Sequence, residues 1–434
     1  MRRTPSIVLL TAALTLAIGA AGCSEHRVTS SSTSTTTTAA CSPTTLLACA
    51  AASSMADLVP ARPTKASGTP ITIGMINQEN TPAGSFPELS AAAKGMFEWL
   101  DAEAGGVDGH PIVLDVCNTN FSAEGSTACG QRFAQAKVPV VLGGIDVFGN
   151  AVDTLRASGI PYAGGIPVSQ QSMANDNSFQ WSGGSWGAAV AFAQHAAVSR
   201  HAKKVAIVYG DFGSVADSAH YAERTLRHLG ASSVQLVPYP IVATDLGAPM
   251  QAAWASHPDA IFVLAADTGC GAAFNAAHTI GVTAAMYYVG ACAAPTITTA
   301  AGNASTEGAY FNVEGPVDPD HPDPDVLLYN SVLAAHAPGL NPIGAATVSA
   351  RSAVNLYRIM KQVGADHLDA ATLTTALRGA RDLPSFMGHA WSCDTKQLAG
   401  LPAACSPQQI LVQIHDGKLS QVGDWIDVGA VYPG

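Results

Sequence analysis

The sequence predicts an α/β fold with doubly wound parallel sheets, and two observations carry that expectation. From Ile71 onward, short apolar runs alternate with helical segments with little interruption. The alternation also comes in two series, one opening at Ile71 and the other near Gly183. Within the first series, residues 70–118 read as strand, polar loop, helix and strand, which is a parallel βαβ unit with a right-handed crossover.

The elements follow in order. Ile71 to Ile76 is an apolar strand ending in the polar loop Asn77-Gln78-Glu79-Asn80. Ser85 and Glu88 have capping-box spacing, and Pro87 is tolerated in a first turn. Leu89, Ala93, Met96, Leu100 and Ala104 then recur at helical spacing, and Gly105-Gly106 supplies the left-handed end. Further strands are expected at 112–117, 138–143 and 160–163. The second series has a helix at 186–199, then strands at 205–209, 234–238, 260–264 and 286–289. Helices at 215–229, 245–256 and 270–281 separate those strands.

The first 68 residues read differently. Arg2 and Arg3 precede the apolar run Ile7 to Ala20, which is too short to span a membrane. The run leads into Ala20-Ala21-Gly22-Cys23, which resembles a lipobox with lipidation on Cys23. Ala20 stands where leucine is usual, so ordinary cleavage and release is the alternative. Residues 24–68, with the Ser/Thr tract at 28–40, are expected to be a tether. If flexible, its r.m.s. reach is about 35–40 Å.

Export favours disulfides. Of nine cysteines, subtracting Cys23 leaves a set that falls into local couples: Cys41-Cys49, Cys117-Cys129, Cys270-Cys292 and Cys393-Cys405. Other connectivities are open. A catalytic or metal-binding set would need C-x-x-C spacing or a neighbouring histidine, and the chain offers neither. A net charge of −11 with no basic cluster beyond Arg2 and Arg3 argues against nucleic acid.

The stretch 70–118, the run AKKVAIVYGDFG at 202–213 and HPDAIFVLAAD at 257–267 together resemble the periplasmic solute-binding proteins of ABC importers. The nearest resemblance is to the branched-chain amino acid-binding (Leu/Ile/Val-binding-like, type I) family, from Ile71 to Asp427. It implies two doubly wound parallel-sheet lobes joined by a three-crossover hinge, the type I periplasmic binding protein fold. On that basis lobe 1 would be 69–181 with 312–385, and lobe 2 would be 182–311 with 386–434. Crossovers are expected at 179–182, 309–312 and 384–388.

In open parallel sheets, ligands approach the carboxyl ends of the strands. That places Gln78, Glu79, Phe86, Asp146, Phe148, Gly149, Asn150, Gly164, Gly165 and Ile166 on the lobe 1 wall of a cleft. Asp211, Phe212, Val215, Asp267, Thr268, Gly290 and Ala291 would form the lobe 2 wall. By resemblance, loops 145–150 and 163–168 would grip a ligand's carboxylate and ammonium. The family presents a segment like Ser-Pro-Ala-Ala-Thr there, whereas this chain has Ala163-Gly164-Gly165-Ile166-Pro167. The glycine pair is either an anion-holding nest of amides or simply a tight turn. The acids Glu79, Asp146, Asp211 and Asp267 individually suit capping or solvation, and together hint at a cationic or hydroxyl-rich ligand.

Two competing signals remain. Gly183-Gly184-Ser185-Trp186-Gly187 matches the G-x-S-x-G elbow of serine hydrolases, yet no apolar strand leads into it. The run DPDHPDPD at 318–325 has calcium-loop composition, but its prolines fit a solvated linker better. The expectation is an exported lipoprotein that captures a small polar molecule, an amino acid or related compound, for an ABC permease. It would act as a monomer, with no cofactor, metal, catalytic residue or nucleic acid. A ligand sensor of the same fold is the alternative, and a hydrolase through Ser185 the remote one.

Overall fold

A computed structural model describes residues 41–80, 84–240, 243–265, 267–317 and 322–434, with Asp267 and Thr268 described in backbone only. The export signal over 1–23, Cys23 and the tract 28–40 lie outside the described residues.

Two sheets organise the chain. The first holds β1 (Ile71–Asn77), β2 (Ile112–Asn118), β3 (Val141–Gly143), β4 (Tyr162–Ala163) and β5 (Ser178–Phe179). Its order is β2-β1-β3-β4-β5, parallel throughout. The second holds β6 (Lys204–Gly210), β7 (Ser233–Tyr239), β8 (Ala260–Leu264), β9 (Ala285–Tyr288), β10 (Tyr310–Val313), β11 (Gln409–His415) and β12 (Lys418–Ile426). Here the order is β12-β11-β10-β9-β8-β6-β7, parallel except that β11 runs antiparallel to both β10 and β12. Helices cover both faces of each sheet, which is why β8 is buried at every residue. Strand order reverses between β1 and β3, and again between β6 and β8. Each reversal is a switch point, where open α/β sheets receive ligands.

Local chemistry explains the elements. The helix after β1 runs Pro87–Glu103 with Phe86 at its N-cap. The expected capping box is absent, because Ser85 Oγ takes the amide of Asn80 at 2.9 Å. Gly105 and Gly106 do end the helix, at φ 80° and 57°. A Cβ on Gly106 would lie 2.2 Å from the His110 carbonyl oxygen. Four strands were not predicted from the sequence. β5 has only two residues, β10 looked like a crossover, and the β11–β12 hairpin lies at a sheet edge where apolar periodicity is weak.

The chain passes between lobes three times, but two passages differ from expectation. The first is at 180–183, against an expected 179–182, because Phe179 belongs to β5. Residues 309–312 belong mostly to β10, so the second passage starts at Glu314. Residues 384–388 stay in lobe 1, with Phe386 and Met387 in its core. The third passage instead lies between Cys393 and Gln409. There the chain leaves the lobe 1 core at Cys393 and packs Leu398, Leu401 and Ala404 into lobe 2. It is pinned back by the Cys393–Cys405 disulfide. The other couples, Cys41–Cys49, Cys117–Cys129 and Cys270–Cys292, are also joined.

The tether expectation fails over residues 41–68, more than half of its span. Helix Leu46–Ala51 and Met55 bury Leu46, Cys49, Ala50 and Met55 in the lobe 1 core. Arg358 pairs with Asp57 and donates from Nη2 to the Ser54 carbonyl at 2.7 Å. Asp325, expected in a solvated linker, is instead a buried tie. Its carboxylate accepts from Ser54 N and Met387 N, each at 2.8 Å. The apolar spacing of Leu46, Cys49 and Ala50 is too short a pattern to signal this docking against a Ser/Thr-rich background. No helix among the described residues is long and apolar enough to cross a membrane.

Candidate functional site

The carboxyl ends of β1, β3 and β4 form one wall of the interlobe region. Asn77, fully buried at the end of β1, organises it. Its Nδ2 donates to Phe86 O at 2.7 Å and Glu79 Oε1 at 3.0 Å, while its Oδ1 accepts from Ile145 N at 3.2 Å. Gln78 is buried and donates to Gly84 O at 2.9 Å, leaving Oε1 with no partner among the described residues. Glu79 points inward, where its carboxylate also accepts from Ser90 Oγ. Phe86 is half-buried against the lobe 1 core.

After β3, Asp146 is buried and accepts from Ser126 Oγ at 2.6 Å and Phe148 N at 3.3 Å. Burial raises its pKa above the ordinary carboxylate value. Asp146 therefore shapes its own loop. Gly149 adopts φ 71° where a Cβ would meet Ser169 Oγ at 2.6 Å, and Asn150 opens the next helix.

The glycine pair after β4 is a turn and not an anion nest. Gly164 N donates to Phe179 O at 2.8 Å, Gly165 N to Ser352 Oγ at 3.0 Å and Ile166 N to Gly144 O at 2.9 Å. All three amides are spent internally. At φ 71° and 87°, the two glycines also sit where a Cβ would fall 2.6 Å from Ser352 Cβ and 2.5 Å from Gly143 C, respectively.

Among the described side chains, lobe 2 contributes less polar chemistry than expected. Asp211 is exposed, with its amide on Tyr239 O at 2.7 Å, and Val215 packs into the lobe 2 core. Asp267 and Thr268 open the helix Asp267–Ile280, at the carboxyl side of β8. Gly290 N donates to Asn312 Oδ1 at 2.7 Å, and Ala291 is exposed.

The lobes meet through apolar groups. Phe148 of lobe 1 and Phe212 of lobe 2 lie edge to face, with ring centroids 6.0 Å apart at 81°. Phe121, after β2, packs on Phe148 at 5.5 Å and 64°. Beside them Ser214 Oγ of lobe 2 donates to Val168 O of lobe 1. A Cβ on Gly184 would lie 2.3 Å from Pro167 O, so the first lobe 2 helix abuts the β4 loop. Of the predicted residues, Phe148 and Phe212 are thus brought together, while Glu79 and Asp146 are turned inward. Phe121, Val168 and Ser214 were missed. Phe121 was legible, because it follows β2 as the other candidates follow β1, β3 and β4.

Behind this contact, one carboxylate joins all three crossovers. Glu314 Oε1 accepts from Ser182 Oγ at 2.8 Å, Gly183 N at 2.9 Å and Gln409 Nε2 at 2.8 Å. Arg351, on the lobe 1 helix Ala345–Val363, donates to Oε2 at 2.5 Å and also to the Glu314 carbonyl.

The hydrolase signal finds no support in this geometry. Ser185 lies on the helix Gly184–Gln194 and accepts from Ser218 Oγ at 2.8 Å. A nucleophilic serine would need a general base as that partner. Among the described residues no group of three or more His, Cys, Asp or Glu could hold a metal.

Residues 70–403 match a family model described as "Periplasmic binding protein". No curated protein matches the sequence. Among solved structures, the leucine binding protein LivK of Thermotoga maritima aligns at 15% identity and TM-score 0.68, over 81% of this chain and 98% of that one. LivJ of Streptococcus pneumoniae, a branched-chain amino acid transporter substrate binding protein in complex with isoleucine, aligns at 16% and 0.68, over 82% and 99%. A solute binding protein of R. palustris in complex with 4-hydroxybenzoate aligns at 18% and 0.66, over 82% and 96%.

Proposed function

Because this chain belongs to the periplasmic binding protein family, we propose that it captures a small molecule between its lobes, outside the cytoplasm, and hands it to an ABC permease. The observation that carries this reading is the meeting of two switch-point walls at Phe148 and Phe212, in front of a three-strand hinge. Closing such lobes removes a ligand from water and makes occupancy visible to a partner as a change of shape. No covalent chemistry is part of the proposal.

In this reading, Cys23 carries the lipid that holds the protein at the outer face of the cytoplasmic membrane. The docked segment begins at residue 41. The protein works as a monomer.

A thermal-shift screen over amino acids, polyamines, sugars and small aromatics tests the capture step. A ligand at 100 times its Kd should add about 2.7 kcal/mol of stability. A melting point unmoved by every compound would count against capture. Uptake by cells with the gene deleted tests delivery. Binding without any uptake defect would favour the sensor alternative.

A further inference from the structure

We infer that the captured ligand is a neutral molecule with a planar apolar ring, selected by Phe121, Phe148 and Phe212; this rests on the capture reading above. The walls have already used much of their polar chemistry. Glu79 Oε1, both carboxylate oxygens of Asp146 and the amides of Gly164, Gly165 and Ile166 have internal partners. A zwitterion seated between those loops would leave its ammonium and carboxylate short of partners. Desolvating unpaired charges costs far more than a small ligand can recover.

What the walls still offer is aromatic. Phe121, Phe148 and Phe212 form a continuous edge-to-face run across the interlobe boundary, at 5.5 Å and 6.0 Å. Phe212 is 36% exposed, one of few large apolar side chains left open to solvent among the described residues. Phe148 and Phe212 already touch, so a ligand ring would enter by parting them and would then meet each in the edge-to-face geometry to which ring quadrupoles are suited. Because Phe148 belongs to lobe 1 and Phe212 to lobe 2, such a ring would be read by both walls on closure.

Charge points the same way. The chain carries a net −11 and so offers an anion no long-range attraction. Asp211 is solvent-exposed, and a cation paired there would gain little. Gln78 Oε1, buried at the end of β1, has no partner among the described residues and can only accept. It suits a neutral hydroxyl or N–H and would repel a carboxylate.

Isothermal titration of the chain from residue 41 tests this, with benzyl alcohol, p-cresol and indole as neutral rings. Leucine, glutamate, putrescine and benzoate serve as charged comparators. The expected result is saturable binding of at least one neutral ring, weakened at least tenfold by Phe148→Leu and by Phe212→Leu. Circular dichroism would confirm that both variants keep the fold. Binding of leucine or another charged comparator, unchanged in both variants, would overturn the ring selection and leave capture standing. Neutral-ring binding unchanged in both variants would overturn the assignment to these phenylalanines. If neither this panel nor the broader screen yields a ligand, both the inference and the capture reading fall.

Discussion

Arg351 Nη2 lies 2.5 Å from Glu314 Oε2, and the two side chains are only 5% and 9% exposed. The pair sits where the three crossovers converge, so the hinge is held by a buried ion pair with further hydrogen bonds and not by loose loops. Removing one partner from a buried pair leaves an uncompensated charge, at about 3–5 kcal/mol. Arg351→Met is expected to lower the unfolding free energy by that amount, read as a lower denaturant midpoint at unchanged slope. An unchanged midpoint would mean that Glu314 is satisfied by Ser182, Gly183 and Gln409 alone.

The docked segment 41–68 makes a second prediction. Met55 is fully buried in the lobe 1 core, so Met55→Ala should cost about 2–5 kcal/mol. A chain beginning at Thr69 should melt several degrees below one beginning at residue 41. A free tether would leave both melting points equal, which makes calorimetry of the two chains decisive.

His195 gives lobe 2 a pH dependence. Its ring is 7% exposed and bonds the Tyr287 hydroxyl at 2.9 Å. Burial, with a smaller effect from the Arg200 charge, lowers its pKa from 6.5 to about 4. A depressed histidine pKa means the unfolded chain takes up the proton first. Stability from this group is therefore complete above pH 6.5 and declines as pH falls toward 4. The loss should be about 2 kcal/mol at pH 5 relative to pH 7.5. Asp101 acts in the opposite sense: burial raises its pKa from 3.8 to about 7. Its contribution is complete below pH 3.8 and lost as pH rises through 7. The histidine effect is thus read as the difference between the parent chain and His195→Gln, and equal pH profiles would rule it out.

The β4 turn can be tested through two glycines with similar backbones. Gly165 and Gly159 have φ 87° and 72°, but only Gly165 is crowded, with its Cβ position 2.5 Å from Gly143 C. Gly159→Ala should cost about 1 kcal/mol for the left-handed backbone alone. Gly165→Ala should cost at least about 3 kcal/mol, since the backbone of β3 would have to move. Equal losses in urea titrations would mean the turn has room to give.

Much of the architecture was legible because buried parallel strands are dense apolar runs. Ile71 to Ile76 and Ala260 to Leu264 announce themselves, and the residues after them are cleft residues by topology alone. The site was less legible, because a carboxylate in a sequence does not show which way it faces. Glu79 and Asp146 read as cleft acids, yet Asn77, Ser90 and Ser126 claim them. The glycine pair had an equally hidden partner, since Ser352 arrives from a helix 187 residues further along. Asp325 looked solvated because neighbouring prolines suggested a linker, while its two partners come from Ser54 and Met387. Such long-range ties leave no local periodicity to read.

The most direct test of interlobe capture is the distance between the lobes. Spin labels on Gln131→Cys in lobe 1 and His228→Cys in lobe 2, both at exposed positions, report it by pulsed dipolar spectroscopy. The account predicts a distribution that shifts and narrows to a single short distance when a binding compound is added. A distribution unchanged by a compound that binds would contradict it, because the ligand would then sit elsewhere than between the lobes.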